Sequence, residues 1–289
     1  MTLGNVRQVE PATEPTGNDR AMQAPLPAKG RTKKSLQPVV RGAVGVAAFA
    51  VLAQVATSAG WLGSDFPTAT QVLSEMFTLL SNGEFLLDIG WSLYAWALAM
   101  VLSLVIAVPL GVLIGSIPVV AKATAVPIEI LRTLPSVALI PIFILVLGSD
   151  TQMKVVLTLF ATVWPILFNT VYGMKDLDPV ALATARSFRL PRTAVLRRVV
   201  LPSVAPFVLT GVRISAALGL IIVVGSELVA GSSAGIGAYI LDASLLGTTT
   251  VVLAGSVVTG ILGTAVNAGL TILDRILFAW RLKMTAADR

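Results

Sequence analysis

Two features of the chain could do chemistry of recognition or transfer: a basic stretch from Asp178 to Pro206, and one carboxylate, Glu227, set inside a hydrophobic run. The stretch reads DPVALATARSFRLPRTAVLRRVVLPSVAP. Asp178 can cap a helix that opens on Pro179 and runs to Phe188. Leu190-Pro191 interrupts it, Thr193 to Val200 can form a second helix, and Leu201-Pro202 ends that one. The pair presents an apolar stripe (Val180, Leu182, Phe188, Leu196) with Arg192, Arg197 and Arg198 at its rim, a pattern suited to insertion into the groove of a partner protein. Nucleic acid is a poor partner for a loop tethered between two spans. A carboxylate in lipid is costly and rarely faces the hydrocarbon. Glu227 therefore reads either as a group lining a translocation path, or as a helix-end residue that reaches the outer interface or bonds to Ser226. Covalent and metal chemistry lack their usual agents, since the chain has no cysteine and no histidine. No Walker motif is present, so ATP would be bound elsewhere. No catalytic residue, metal site or cofactor site is expected.

The elements that must position these residues follow from composition. Of 289 residues, 55% are hydrophobic and 12% charged, with a mean hydropathy of +0.86. So little charge cannot cover a soluble surface, whereas a lipid-embedded chain needs no such cover. A span takes about 20 apolar residues, and six runs qualify: Val39–Trp61, Trp91–Ile117, Ile128–Leu147, Val155–Met174, Phe207–Ala230 and Val251–Trp280. The expected fold is all-α: a polytopic membrane domain over residues 39–289, with a cytoplasmic loop at 175–206. Residues 1–38 are polar and end in Lys29, Arg31, Lys33 and Lys34, which reads as a disordered cytoplasmic tail. Leu73–Leu87 carries Glu75 and Glu84 and reads as an amphipathic helix outside the membrane.

Charge sets the topology. With the N-terminus inside, the basic residues of the tail, of the second connection (Lys122, Arg132), of the fourth (Lys175 to Arg213) and of the C-terminus (Arg275, Arg281, Lys283, Arg289) all fall on the cytoplasmic side. Only Lys154 falls outside, among Asp65, Glu75, Glu84, Asp88, Asp150 and Asp242. This partition places both termini in the cytoplasm of a multi-pass membrane protein. The pI near 10 belongs to those inner loops.

Several spans carry punctuation. Pro135, Ser136 and Pro141 interrupt the third, and a freed carbonyl is tolerated in lipid only where a neighbour or a cavity satisfies it. These three are candidates for lining the path; a merely kinked helix is the plainer alternative. Gly111 and Gly115 put two small residues on one face, which reads as ordinary close helix packing. Asp274 and Arg275 read as a structural ion pair or an interfacial anchor, and Asn267 as an interhelical hydrogen-bond partner.

The loop also resembles the cytoplasmic coupling motif of ABC importer permeases, EAA, three residues, G, nine residues, I-x-L-P. Ala183-Thr184-Ala185 stands in the EAA place, Arg189 in the glycine place, Val199 in the isoleucine place and Leu201-Pro202 at the end. Arg186 and Phe188 lie between. Leu131-Arg132-Thr133-Leu134-Pro135, Ser226-Glu227 and the Gly235-Ile236-Gly237 turn are similar to the nitrate, sulfonate and taurine branch, and the likeness covers about Ser81 to Leu282. Ala183 replaces the glutamate that helps hold the coupling helix on its ATPase. Arg189 replaces the turn glycine, and Pro191 is expected to break the helix in its stead, with altered geometry.

The resemblance implies a type I ABC importer permease. Its partners would be two copies of an ABC ATPase, a second permease copy in a homodimeric pore, an extracytoplasmic solute-binding protein and the lipid bilayer. The implied substrate is a small anion such as a sulfonate, taurine or nitrate. A secondary transporter or channel without an ATPase is the alternative, but a secondary transporter would call for several intramembrane ionisable groups or an internal repeat, and a channel would not need the basic helix pair.

Overall fold

A computed structural model of the chain describes residues 37–61, 63 and 66–277. Residues 1–36 of the expected tail, Asp65, Trp280 and the basic residues Arg281, Lys283 and Arg289 lie outside the described residues, while Gln37 and Pro38, counted with that tail, are helical. Residues 1–49 form a unit of their own, of which the described part is the first portion of α1 (Gln37–Ser58). Every other element belongs to the second unit.

In that unit, α2 (Ala69–Ser81) starts with a capping box. Thr68 N–H donates to Gln71 Oε1 at 2.8 Å and Gln71 N–H to Thr68 Oγ1 at 3.4 Å. The helix stops at Asn82, whose backbone is extended. Asn82 Oδ1 accepts from Glu84 N–H at 2.9 Å and caps the next helix. The single amphipathic helix expected over Leu73–Leu87 is therefore two helices. Asn82-Gly83 pairs a good cap with a poor helix former, and that break outweighs the amphipathic pattern.

The second helix of the pair, α3 (Gly83–Ser116), has 34 residues, about 50 Å at the usual rise. It overshoots a hydrocarbon core of ~30 Å. The expected third span is broken. Leu134 precedes Pro135 and takes an extended conformation, φ −66° and ψ 122°, the backbone that a following proline favours. This ends α4 (Pro118–Thr133). A 3₁₀ turn over Ser136–Leu139 leads into α5 (Ile140–Leu147), and the two segments bend by 81°. The run Ile128–Leu147 is thus the end of one helix and all of another, not a straight span.

Then come α6 (Thr151–Lys175), α7 (Pro179–Ser187) and α8 (Arg192–Val195). A π turn at Leu196–Val200 joins α8 to α9 (Leu201–Ala230). Short α10 (Ile236–Leu245) and long α11 (Thr249–Leu277) follow. Among the described residues, five helices are long and apolar enough to cross a membrane, or six if the bent pair is one span.

The core is the three-helix contact of α3, α6 and α9. The excursion through α4 and α5 makes α3 and α6 run parallel, and α9 runs against both. Small residues set the spacing. A Cβ on Gly111 would lie 2.6 Å from Thr170 Cβ, one on Gly115 would strike Met174, and one on Gly211 would lie 2.8 Å from Ile166 Cα. The Gly111–Gly115 face is thus ordinary packing within the chain. Hydroxyls bond the same seam: Thr162 Oγ1 donates to Thr158 O at 2.7 Å, meets Ser103 Oγ at 2.6 Å, and Ser215 Oγ donates to Thr162 O at 2.7 Å. A second apolar cluster (Met76, Leu79, Phe85, Ile236, Ile240, Ala254, Val258) seats α2 and α10 against α11.

Candidate functional site

The predicted coupling residues gather at one end of the bundle. Asp178 Oδ1 accepts from Val180 N–H at 2.8 Å, so α7 begins as its cap and Pro179 dictate. Arg189 takes the left-handed conformation, φ +49°. Its N–H donates to Arg186 O at 2.8 Å, and Leu190 N–H donates to Ala185 O at 3.1 Å. This is the Schellman closure that helices most often complete with glycine. The altered turn expected from Pro191 is not what forms: Arg189 reproduces the glycine geometry itself, at a cost of roughly 1–2 kcal/mol for a residue bearing a Cβ. Pro191 instead serves as the extended cap of α8.

The second half of the loop departs further. Leu201-Pro202 does not end a helix. The backbone is helical without interruption from Arg192 to Ala230, 39 residues. Leu201 N–H reaches back to Leu196 O, the wider π spacing. Pro202 follows at the first turn of α9, where a missing N–H is tolerated.

On the resulting surface Ala183, Thr184, Arg186, Arg189, Leu201 and Pro202 are exposed, Val199 is partly buried and Ala185 is buried. Phe188 is 76% exposed and Val180 70%. Thr193, Ala194, Arg197 and Arg198 line a neighbouring recess of about 560 Å³. Among the described residues none of the loop arginines from Arg186 to Arg198 is in a salt bridge. Arg213, counted with the loop from sequence, lies inside α9, 3.9 Å from Asp274 on α11. Asp274 thus has its ion-pair partner on another helix, Arg213, and Arg275 is in no salt bridge among the described residues. Asn267 is exposed, and its side chain makes no interhelical bond among the described residues.

The opposite end holds what sequence reading missed. Glu227 is 0% exposed and Lys154 1%. Lys154 is not a free charge of an outer loop: its Nζ donates to Glu227 Oε1 at 3.1 Å and to Ala234 O at 2.7 Å. Ser92 Oγ lies 2.8 Å from both carboxylate oxygens and accepts from Ile236 N–H at 2.9 Å. Gly237 N–H donates to Glu227 Oε2 at 2.9 Å, and Gly235 N–H to Asp88 Oδ1 at 2.7 Å. The first turn of α10 is thus satisfied by one acceptor each from Asp88, Ser92 and Glu227, a favourable place for negative charge.

Gly235 has φ +123°, and a Cβ on it would strike the Glu227 carboxylate; one on Gly237 would strike Val224 O. The Ser226-Glu227 and Gly235-Ile236-Gly237 motifs are two halves of one contact. Ser226 has no part in the carboxylate's bonding, because its Oγ donates to Val223 O at 2.7 Å. Of the path candidates, Ser226 and Glu227 are enclosed. Pro135 and Pro141 are exposed and Ser136 partly so, all at the α4–α5 break. The available signal for this contact was Lys154 itself, the one basic residue on the wrong side of the charge partition.

The chain is similar in sequence and fold to known proteins. The taurine transport system permease protein TauC of Escherichia coli is 30% identical over 219 residues, which cover 74% of this chain and 79% of TauC. A Bacillus subtilis permease protein named for aliphatic sulfonates, SsuC, is 30% identical over 74% of this chain and 78% of its own length. The nitrate import permease protein NrtB of Synechocystis is 26% identical over 83% of this chain and 89% of its own. A chain from an inward-facing structure of the MetNI methionine ABC transporter shares the fold, with TM-score 0.58 and 18% identity over 70% of this chain and 97% of that one. The family described as binding-protein-dependent transport system inner membrane component matches residues 107–279. That stretch takes in the α4–α5 break, the turn at Arg189 and, of the Glu227 contact, Lys154, Glu227 and Gly235–Gly237, and the chain belongs to this family.

Proposed function

We propose that the chain is the membrane-spanning permease subunit of an ATP-driven ABC importer, with the α7 end in the cytoplasm and the α10 end outside. Two copies form the pore, and one ATPase docks beneath each. An extracytoplasmic binding protein delivers the solute. The names of TauC, SsuC and NrtB favour a small anion of the taurine, sulfonate or nitrate class. In this reading the permease domain is 39–289, with its coupling loop at 175–206. Both termini are cytoplasmic, the tail of residues 1–38 included, and the pore lies in the inner cell membrane.

The observation that carries the proposal is Phe188, 76% exposed at the close of α7 and flanked by Arg186 and Arg189. A solvent-facing phenylalanine on a well-formed turn is an anchor awaiting a pocket, and arginines at its rim can meet acidic groups there. Ala183 contributes no charge where the family has a glutamate. Docking therefore rests on Phe188, Val180 and the arginines. Pro135, Ser136 and Pro141 are assigned to the translocation path. The ion-coupled alternative loses its one candidate group, because the Glu227 carboxylate is enclosed and paired.

The test is replacement of Arg186 and Phe188 by alanine in the assembled transporter. Insertion and basal ATP hydrolysis should persist while uptake driven by the loaded binding protein is lost. Unchanged uptake would remove this face from the docking surface.

A further inference from the structure

We infer that Lys154 and Glu227 are positioning residues for transport: with Ser92 and the Gly235–Gly237 backbone they clasp α10 onto α3, α6 and α9, so that this end of the bundle moves as one body. One carboxylate gathers a hydroxyl from α3, an ammonium from α6 and a backbone N–H from α10, while itself belonging to α9. No side chain intervenes where α10 meets it, because a Cβ at either glycine would collide. A buried ion pair is weak evidence for stability, since a well-packed apolar replacement often serves as well. What this pair supplies is direction: the ammonium, the hydroxyl and the N–H reach the carboxylate from different helices, so parting any two of them strands a buried polar group.

The α4 segment, which runs past Phe168 toward the other end of the bundle, lacks such ties. No residue of α4 is buried, and α4 meets the α5 segment at an 81° bend. Changes of shape are therefore taken up by α4 and α5 and by tilting of the clasped unit, not by separation of α3, α6 and α9 at this end. The functional part of the inference rests on the permease reading. On that reading α10 and the turn before it face the delivered solute, and the clasp carries contact made there to three spans at once.

The native chain lacks cysteine, so cysteines placed at Gln152 and Asp242, both exposed, accept spin labels without background and report the α6–α10 distance in the full chain in lipid. A single narrow distance is expected, unchanged in the assembled transporter between its nucleotide-free and ATP-trapped states. E227Q should broaden it or add a second population, and the ratio of stimulated to basal ATP hydrolysis should fall toward one. K154M/E227Q should narrow the distance again and recover part of that ratio, because the stranded ammonium is gone and an amide oxygen can still accept from Gly237. The exchange K154E/E227K should not recover it, because an ammonium at position 227 cannot accept that N–H. If E227Q fails to insert, K154M and the double variant carry the comparison. A narrow, unshifted distance in the single variants overturns the clasp, as does movement between nucleotide states in the unaltered chain. The expected distances in a chain that couples to no ATPase would support the clasp and overturn the permease reading.

Discussion

The two ends of the bundle use charge in opposite ways. At the α10 end, an acid and a base are buried against each other and bonded to three further groups. At the α7 end, five arginines from Arg186 to Arg198 stand exposed, as does Phe188. The first arrangement is complete within the chain. The second has its donors pointed outward, and its aromatic anchor lacks a pocket. Charge that must hold a shape is enclosed and oversupplied with partners, whereas charge that must find another molecule is left at a rim where water keeps it cheap.

Substitutions can break or sharpen this contrast. The largest effect is expected from Glu227→Ala, which leaves Lys154 buried without a counter-charge and should cost about 3–5 kcal/mol. Thermal unfolding in mild detergent would show it, and a small shift would mean that water reaches the pair. Gly237→Ala is next. Its methyl group meets Val224 O and the Glu227 side chain, an overpacking worth about 1–3 kcal/mol; wild-type stability would place α10 farther from α9.

At the other end the sign reverses. Arg189→Gly removes the left-handed penalty and should raise stability by about 1 kcal/mol, unless the freer unfolded chain offsets it. A clear loss in the same unfolding measurement would argue against the Schellman turn. The smallest change is expected from Phe188→Ala, within about 0.5 kcal/mol for an exposed side chain, while uptake collapses. An equal fall in stability and uptake would make Phe188 a packing residue and dissolve the contrast.

Legibility in the sequence followed the range of the interactions. The predicted coupling loop is built from local signals. Asp178-Pro179 starts α7 where helix-capping chemistry predicts, and the motif spacing set Arg189 at the turn. The backbone then surpassed the expectation, since a residue thought to need compensation adopted the glycine conformation unaided. Local rules failed where a wider helical turn intervened. Proline at 202 reads as a stop, yet the π turn before it lets the helix pass. The clasp joins positions 88, 92, 154, 227 and 235–237, and no window of sequence contains it. Lys154 was assigned to the nearest loop because a lone lysine at the edge of an apolar run reads as a boundary. Its partner lies 73 residues away. The α4–α5 break is intermediate: Pro135 announces it, but only the fold sets its angle.

The uninterrupted helix from Arg192 to Ala230 has a mechanical consequence. Its 39 residues make a rod of about 58 Å at the usual rise, with Arg197 and Arg198 near one tip and Glu227 near the other. A tilt of about 5° about its Arg192 tip would swing the far tip by about 5 Å, one helical pitch. The rod can thus act as a lever with its own amplification: a sub-ångström to ångström push at the arginines is enough to relocate the clasp, and the π turn, which carries Arg197 and Arg198, lies at the point where that force is applied.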